Sequence, residues 1–507
     1  MSQELLRRCA RRSFTAAAVA AAGLALVARK RSARVWLGRV RGAGTPMFSE
    51  TTRSARNAQL VRLGAGAAAS TAVHQVRRAA ASSERRAELD AAHELKTAEQ
   101  VTEALGQMKG VLMKLGQMAS YLNDGFPEQF RAQLATLQAD APPMSADLAV
   151  ATLEEALGGP IDRFFSSFDD SPLASASIGQ VHRAVRLDGR SVAIKIQYPG
   201  VETAIRADLD NTALLTQILG VVFRGLDTAP FIDELRLRVG EELDYRLEAS
   251  RQRTFADIYR GHPAIVVPEV HDDLSTGNVL VTDLSPGQRF DAAQDWTQPE
   301  RDLVGETIYR FVFRSFNGHN IFNGDPHPGN YLVERGGPIG VRVTFLDFGL
   351  VKQFTDTEMH TFWTMIRHQV SEPDPARYRK AIEDAGLLVR NAPYSNDELM
   401  EYFGWFYHPV MDDKPFTYTK DYAREALKRT FDPTGEHSKM MRSFNLPPSF
   451  VVLNRIQWGL NAVLAQLNAT RNWRAISNEL WPWVDGPPST ELGELEEQWL
   501  ASRVPFA

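Results

Sequence analysis

The apolar positions of this chain change period along its length, and that change separates helical from sheet-bearing stretches. Across residues 96–138, Val101, Leu105, Met108, Val111, Leu112, Leu115, Met118 and Ala119 recur every three or four positions, which predicts a strongly helical region. Gly125-Phe126-Pro127 breaks it and Pro142-Pro143 closes it. A helix over residues 145–157 is predicted to stop at Gly158-Gly159. From Phe164 the period shortens to two. Residues 181–187 and 191–197 flank Asp188-Gly189, a hairpin signal. Helical stretches over 201–223 and 231–259 come next, then strands over 265–270 and 278–283, and Pro286-Gly287 marks a hinge. Beyond it the pattern is mainly helical, apart from short strands around residues 325–349. The class is α+β, a small sheet-containing lobe joined to a larger helical one.

The most apolar late segment, 451–467, is interrupted by Asn454, Arg455, Gln457, Asn461 and Gln466. Its Leu453, Ile456, Leu460, Val463, Leu464 and Leu467 follow helical spacing, so it reads as a packed amphipathic helix rather than a membrane span.

Charge adds an asymmetry to this pattern. Residues 1–86 hold seventeen Lys/Arg against three acids, a net of +14, so the remainder carries −19 of the formal −5. A basic arm ahead of an acidic body suits an anionic partner. Arg7, Arg8, Arg11 and Arg12 precede an Ala-rich apolar run from Phe14 to Ala28, and Arg29, Lys30, Arg31 and Arg34 follow it. The run is shorter than the roughly 20 residues that cross a bilayer, and basic flanks on both sides argue against a secretory signal. This segment fits an anionic membrane surface better than nucleic acid. Residues 41–95, rich in Ala, Arg, Gly and Ser, read as irregular or weakly helical. Cys9 is the only cysteine, which excludes an intrachain disulfide and a Cys-based zinc site and fits a reducing, cytoplasmic setting.

The chemistry is concentrated in two short stretches. Asp325-Pro-His-Pro-Gly-Asn330 places an Asp five residues before an Asn, and Asp347-Phe-Gly349 follows the apolar positions Val341, Val343, Phe345 and Leu346. A protein-kinase-like fold arranges phosphoryl transfer in this way. One carboxylate orients the nucleophile, while the Asn and the second Asp hold Mg²⁺ on the phosphates of ATP. Upstream, Ser191-Val-Ala-Ile-Lys195 reads as a strand whose alternation turns Val192 and Ile194 one way and Ala193 and Lys195 the other. Lys195 then faces a cleft, where it can meet the α- and β-phosphates. Its carboxylate partner is sought in Glu241-Glu242-Leu-Asp244-Tyr-Arg-Leu-Glu248, and Glu242 is the choice. The loop before the hairpin carries Ala174, Ser175, Ala176 and Ser177 where an ordinary kinase has glycines, and keeps only Gly179. Asp283, at the end of the strand leading into the hinge, completes the nucleotide-binding set. His327 reads as a loop-ordering residue rather than a metal ligand, and Trp481-Pro-Trp483 as packing.

These residues resemble the UbiB/AarF family of atypical kinases. The likeness rests on the Ala174–His182 loop, the strand through Lys195 to Gly200, the helix from Glu242 to Glu248, Asp325 to Asn330 and Asp347-Phe-Gly349. It also rests on Lys114-Leu-Gly-Gln117, which matches the family's Lys-x-Gly-Gln signature. The resemblance implies a bilobal protein-kinase-like fold with an N-terminal helical extension, divided as 1–50, 51–150, 151–285 and 286–507. It implies that Lys195 and Glu242 form the phosphate-positioning pair, that Asp325 is catalytic and that Asn330 and Asp347 bind metal. Lys114 and Gln117 would reach into the active site and contact the motif of Glu242, Asp244 and Glu248, a regulatory set. An ATPase or unconventional kinase linked to isoprenoid quinone or lipid metabolism follows, peripheral or N-terminally anchored at a membrane.

Three other readings compete: a non-catalytic nucleotide-binding scaffold, a small-molecule antibiotic kinase and an ordinary protein kinase. The last lacks an Ala-Pro-Glu after Asp-Phe-Gly, and Asn323-Gly324 stands where His-Arg would precede the catalytic Asp.

Overall fold

Val192, Ile194 and Ile196 are fully buried while the residues between them are partly open, so the two-residue period of the hairpin strand survives folding unchanged. The computed structural model describes residues 144–176, 178–210, 240–324, 326–431, 440, 444–445 and 447–503. All lie in the longer of two units into which the chain divides, between residues 50 and 51. The predicted helical region 96–138 with Lys114 and Gln117 lies outside the described residues, as do Ser177 and Asp325.

A five-stranded antiparallel sheet comes first. It is built from β1 (Phe165–Phe168), β2 (Ala174–Ser175), β3 (Gly179–Arg186), β4 (Ser191–Gln197) and β6 (Val279–Asp283), in the order β1-β3-β4-β6 with β2 also on β3. Helix α1 (Ala146–Leu157) precedes it, capped by Ser145, and it stops at Gly158, φ 71°, where the sequence predicts its end. The β3–β4 turn likewise puts Gly189 at φ 86°. Helix α2 (Val201–Asp210) follows β4. Within the predicted 231–259 stretch, residues 240–242 are helical and helix α3 (Tyr245–Tyr259) starts anew after a break at Asp244, which leaves helical geometry and accepts from the Arg246 amide as an N-cap; residues 231–239 lie outside the described residues.

The second sheet is a departure from expectation. β5 (Ile265–Val266) does not extend the first sheet; it pairs in parallel with β10 (Val341–Phe345), in a sheet ordered β5-β10-β9-β7 with β9 (Tyr331–Arg335) and β7 (Gln288–Arg289). Two small pairs complete the strands: β8 (Ile321–Asn323) with β11 (Val351–Gln353), and β12 (Phe416–Thr417) with β13 (Thr470–Arg471).

Helices fill the rest: α4 (Gln298–His319), α5 (Asp356–Ile366), α6 (Pro375–Asp384), α7 (Asn396–Gly404), α8 (His408–Met411), α9 (Lys420–Phe431), α10 (Pro448–Leu467), α11 (Trp473–Leu480) and α12 (Glu491–Ser502). α4 begins with a Thr297–Glu300 capping box and ends on Asn320 in the left-handed region. The core runs from α3 through the second sheet and α4 to α10 and α11, and Ile456, Leu460, Val463, Leu464 and Leu467 of α10 are buried in it. The amphipathic reading of that helix holds. Among the described residues no helix is long and apolar enough to cross a membrane.

Candidate active site

Lys195 leaves β4 on the face opposite Val192 and Ile194, and its Nζ donates to both oxygens of Glu248, at 2.7 and 2.9 Å. Here the sequence assignment is corrected: the partner is Glu248, not Glu242. The break at Asp244 separates the two glutamates, and only Glu248 shares the buried stripe of α3, where Tyr245, Glu248, Gln252 and Phe255 recur at intervals of three and four. The Glu248 side chain is 3% exposed and that of Lys195 20%. The ammonium also lies 4.9 Å from the centroid of the Tyr245 ring. Asp244, assigned a regulatory role from the sequence, is the exposed N-cap of the same helix.

The stripe that sets Glu248 also holds the second acidic motif. Phe348 is fully buried and packs on Phe255, two helical turns beyond Glu248, with ring centroids 4.9 Å apart. Asp347 Oδ1 accepts from the Gly349 amide at 2.8 Å, and Asn323 Nδ2 donates to the Asp347 carbonyl at 2.6 Å. Arg251 donates to the Gly349 carbonyl at 2.7 Å and to Glu241 at 3.0 Å, tying the turn to α3. A Cβ on Gly349 would stand 3.2 Å from Asp347 Oδ1 and 4.0 Å from Glu248 Oε2, so this turn lies against the ion pair. The Leu346 amide donates to the Asn330 carbonyl at 3.0 Å, which puts Asn330 and Asp347 at adjoining strand ends. His327 Nδ1 accepts from the Gly329 amide at 3.0 Å, ordering the loop as its sequence position suggested. The Gly324 amide donates to the Leu350 carbonyl at 2.8 Å and joins the two motif loops from the other side.

Burial alone would lower the Lys195 pKa; the facing Glu248 carboxylate, with Tyr245 and Asp347, outweighs it and raises the value, so the ammonium stays charged. Burial raises the Glu248 pKa, with Lys195 opposing and Asp347 and Glu242 reinforcing the rise. The pocket therefore gathers more carboxylate charge than one ammonium offsets. That surplus, together with the carboxylate and amide oxygen donors of Asp347 and Asn330, fits Mg²⁺, a hard cation held by one or two protein oxygens plus phosphates.

The predicted phosphate loop is only partly a loop. Ala174 and Ser175 form the exposed strand β2 opposite Val181 and Gln180, leaving Ala176 at the turn, where its amide donates to the Gly179 carbonyl at 2.8 Å. Gly179 belongs to β3 instead. A Cβ there would strike the Ile196 backbone, 2.9 Å from its carbonyl carbon, so this glycine allows close strand approach. Asp283 is also corrected. In the β4–β6 register Lys195 pairs with Leu280 and Val192 with Asp283, so alternation turns Asp283 away from the lysine face. Its carboxylate lies 2.8 Å from His271 Nε2, and His271 in turn meets Arg186.

Sequence reading passed over Arg251, Asn323 and Tyr245, whose roles depend on contacts across more than 20 positions or on a lysine not yet placed. It also passed over Gln180 and His182. Both are fully buried, joined at 2.7 Å, and Gln180 accepts from the Met144 amide at the start of α1. A Gln and a His alternating inward on a core strand were the available signal.

Residues 136–381 match the ABC1 atypical kinase-like domain. Over 268 residues the chain is 34% identical to a probable protein kinase UbiB of Shewanella denitrificans, spanning 52% of this chain and 49% of that protein. Over 269 residues it is 31% identical to the mitochondrial atypical kinase coq-8 of Caenorhabditis elegans, 52% of this chain and 36% of the other. The chain spans less than two thirds of the length of these curated relatives. A solved Mycobacterium tuberculosis structure, the complex of Rv3197 with erythromycin, matches at 33% identity and a TM-score of 0.58, over 79% of this chain and 100% of the other.

Proposed function

Because the chain belongs to the ABC1 atypical kinase-like family, which includes the UbiB and AarF-type kinases, we propose that it binds Mg-ATP and transfers or hydrolyses the γ-phosphate. The observation that carries this reading is the Lys195–Glu248 ion pair with the Asp347-Phe348-Gly349 turn packed against it. In the proposal Glu248 holds two of the three ammonium protons, which aims the remaining one and the charge at the α- and β-phosphates. Asp347 and Asn330 hold Mg²⁺, which supplies neutralisation of charge on the phosphate oxygens. Asp325, placed by its motif alone, orients the nucleophile. Tyr245 and the buried stripe of α3 exclude water behind the lysine, and Arg251 keeps the Asp347 turn in register with α3. Catalysis in this account is positioning and electrostatics, with no covalent enzyme intermediate.

The same proposal extends to a setting in isoprenoid quinone or lipid metabolism, which the resemblance to UbiB/AarF implies, and to a membrane-facing role for the basic arm within residues 1–50. Phosphate release from ATP, measured with and without vesicles of anionic lipid, tests the activity. The wild type turns over Mg-ATP and Asp347→Asn does not. Full turnover by Asp347→Asn removes Asp347 from the metal role, and nucleotide binding without turnover in the wild type leaves a scaffold instead of an enzyme.

A further inference from the structure

Helix α3 carries Glu248 in its first turn, while its last turn is closed by side chains from a distant part of the chain. Carbonyls in the last turn of a helix lack intrahelical donors. At the end of α3 the Tyr259 carbonyl accepts from the His262 amide at 3.0 Å. Asp257, Ile258 and Arg260 are served by α12 and by Arg503, the residue that follows it. Arg503 donates to the Asp257 carbonyl at 2.7 Å and to that of Ile258, and Trp499 Nε1 donates to the Arg260 carbonyl at 2.9 Å. A guanidinium here also complements the negative pole of the helix dipole. Tyr259 itself is gripped from two sides. Its hydroxyl meets Ser315 Oγ of α4 at 2.7 Å, and its ring lies within 5° of parallel to the Trp499 indole.

The same α12 is fixed to α4, where the buried Glu496 accepts from Arg310 at 2.9 Å and from Arg314 at 2.7 Å. α4 leads through Asn320 into β8, whose Asn323 holds the Asp347 carbonyl. One helix thus references both halves of the site, Glu248 through α3 and Asp347 through α4.

We infer that Arg503 and Trp499 are positioning residues for the Lys195–Glu248 pair, acting through α3 as a rigid lever; the kinetic consequence rests on the ATP chemistry proposed above. Phe255, packed on Phe348, lies between the two ends of the helix. At 1.5 Å per residue Glu248 stands about 10 Å to one side of it and Arg260 about 8 Å to the other. A displacement of the capped end therefore reaches Glu248 at similar size, and both bonds to Lys195 Nζ lose their geometry within a shift of about 1 Å.

ATP turnover by variants of the full chain, arranged as a double-mutant cycle, tests this. Arg503→Ala lowers kcat about tenfold in the wild-type background. Where Glu248→Gln has already broken the pair it lowers kcat less than about twofold, although the unfolding midpoint falls equally in both backgrounds. Equal fold losses in the two backgrounds, or no loss in the wild type, overturn the inference. Amide exchange of the nucleotide-free chain is the second readout and needs no turnover. Arg503→Ala speeds exchange at Tyr245 and Glu248, whose amides donate to the Gly277 and Asp244 carbonyls; faster exchange confined to residues 257–260 overturns the inference. Trp499→Phe, which keeps a ring on Tyr259 and removes the indole donor, replaces Arg503→Ala if the latter does not fold. A wild type that hydrolyses no ATP defeats the proposed function alone, and the exchange measurement then decides this inference.

Discussion

Glu248 and Glu242 have the same chemistry and lie six positions apart, yet only one pairs with Lys195. The difference is the stripe. Glu248 occupies a position that would otherwise be apolar, between Tyr245 and Gln252 on the buried face of α3, and a carboxylate survives there only when paired. Glu248→Gln is therefore expected to lower ATP turnover by about 100-fold, the scale of a misplaced catalytic group, while Glu242→Gln changes it several-fold at most. Steady-state kinetics of the two variants decides between them, and equal losses would return Glu242 to the pair. The alternation of β4 was legible in the sequence because one buried face imposes it. The orientation of Asp283 was not, since it depends on the β4–β6 register, and register is a property of two strands rather than one. Gly179 was misread for a similar reason: a glycine in a small-residue loop and a glycine beneath a neighbouring strand look alike until that strand is placed.

Among the elements, the helix stop at Gly158 was the most legible. Ser145 and Gly158 bound α1 as their residue types dictate. The short strand β5 was not, because an apolar pair does not declare which sheet it joins. The least expected element-level feature is the clamp between α4 and α12. Arg310 is fully buried and bonds Glu306 of its own helix at 3.0 Å, Glu496 of α12 at 2.9 Å and Glu479 at 2.8 Å, and Arg314 reaches Glu496 at 2.7 Å. Burial works to raise the Glu496 pKa, but His262, Arg314 and Arg310 outweigh it and hold the carboxyl well below its usual value. Burial lowers the pKa of His262, 3.4 Å from Glu496, from 6.5. Both shifts have the same sign for stability. The His262 contribution is complete above its unfolded value and lost as pH falls below about 6.5. The Glu496 contribution is complete above the unfolded carboxyl value of 4.5 and lost as pH falls towards its depressed folded pKa. Thermal unfolding followed from pH 7 to pH 3 is expected to show a steady decline in the midpoint. Glu496→Gln is expected to be less stable by about 3–5 kcal/mol near neutrality, the cost of leaving buried arginines unpaired, and to decline less steeply below pH 4.5. A variant that keeps the wild-type slope would show that the clamp does not set acid stability.

At the scale of the whole molecule, helix α10 joins the large core to the motif loops. Its Gly459 lies against Pro326, the residue after Asp325, and a Cβ there would stand 3.0 Å from the Pro326 carbonyl oxygen and closer still to its ring. Gly459→Ala should favour the helix by about 1 kcal/mol from propensity alone, so any loss comes from displacing the loop. The expected result is turnover reduced at least tenfold with little change in the unfolding midpoint, and unchanged turnover would uncouple α10 from the loop. The proposed function rests on one premise: that Lys195, Glu248, Asp347 and Asn330, carried by β4, α3 and the strands around Asp347, serve a single Mg-nucleotide site. Mn²⁺ substituting for Mg²⁺ reports on that site directly, through the broadened electron paramagnetic resonance spectrum of protein-bound Mn-ATP. The account predicts one bound Mn-ATP per wild-type chain and strong loss of that signal in both Asp347→Asn and Lys195→Met. Equal Mn-ATP binding by Asp347→Asn and the wild type would contradict it.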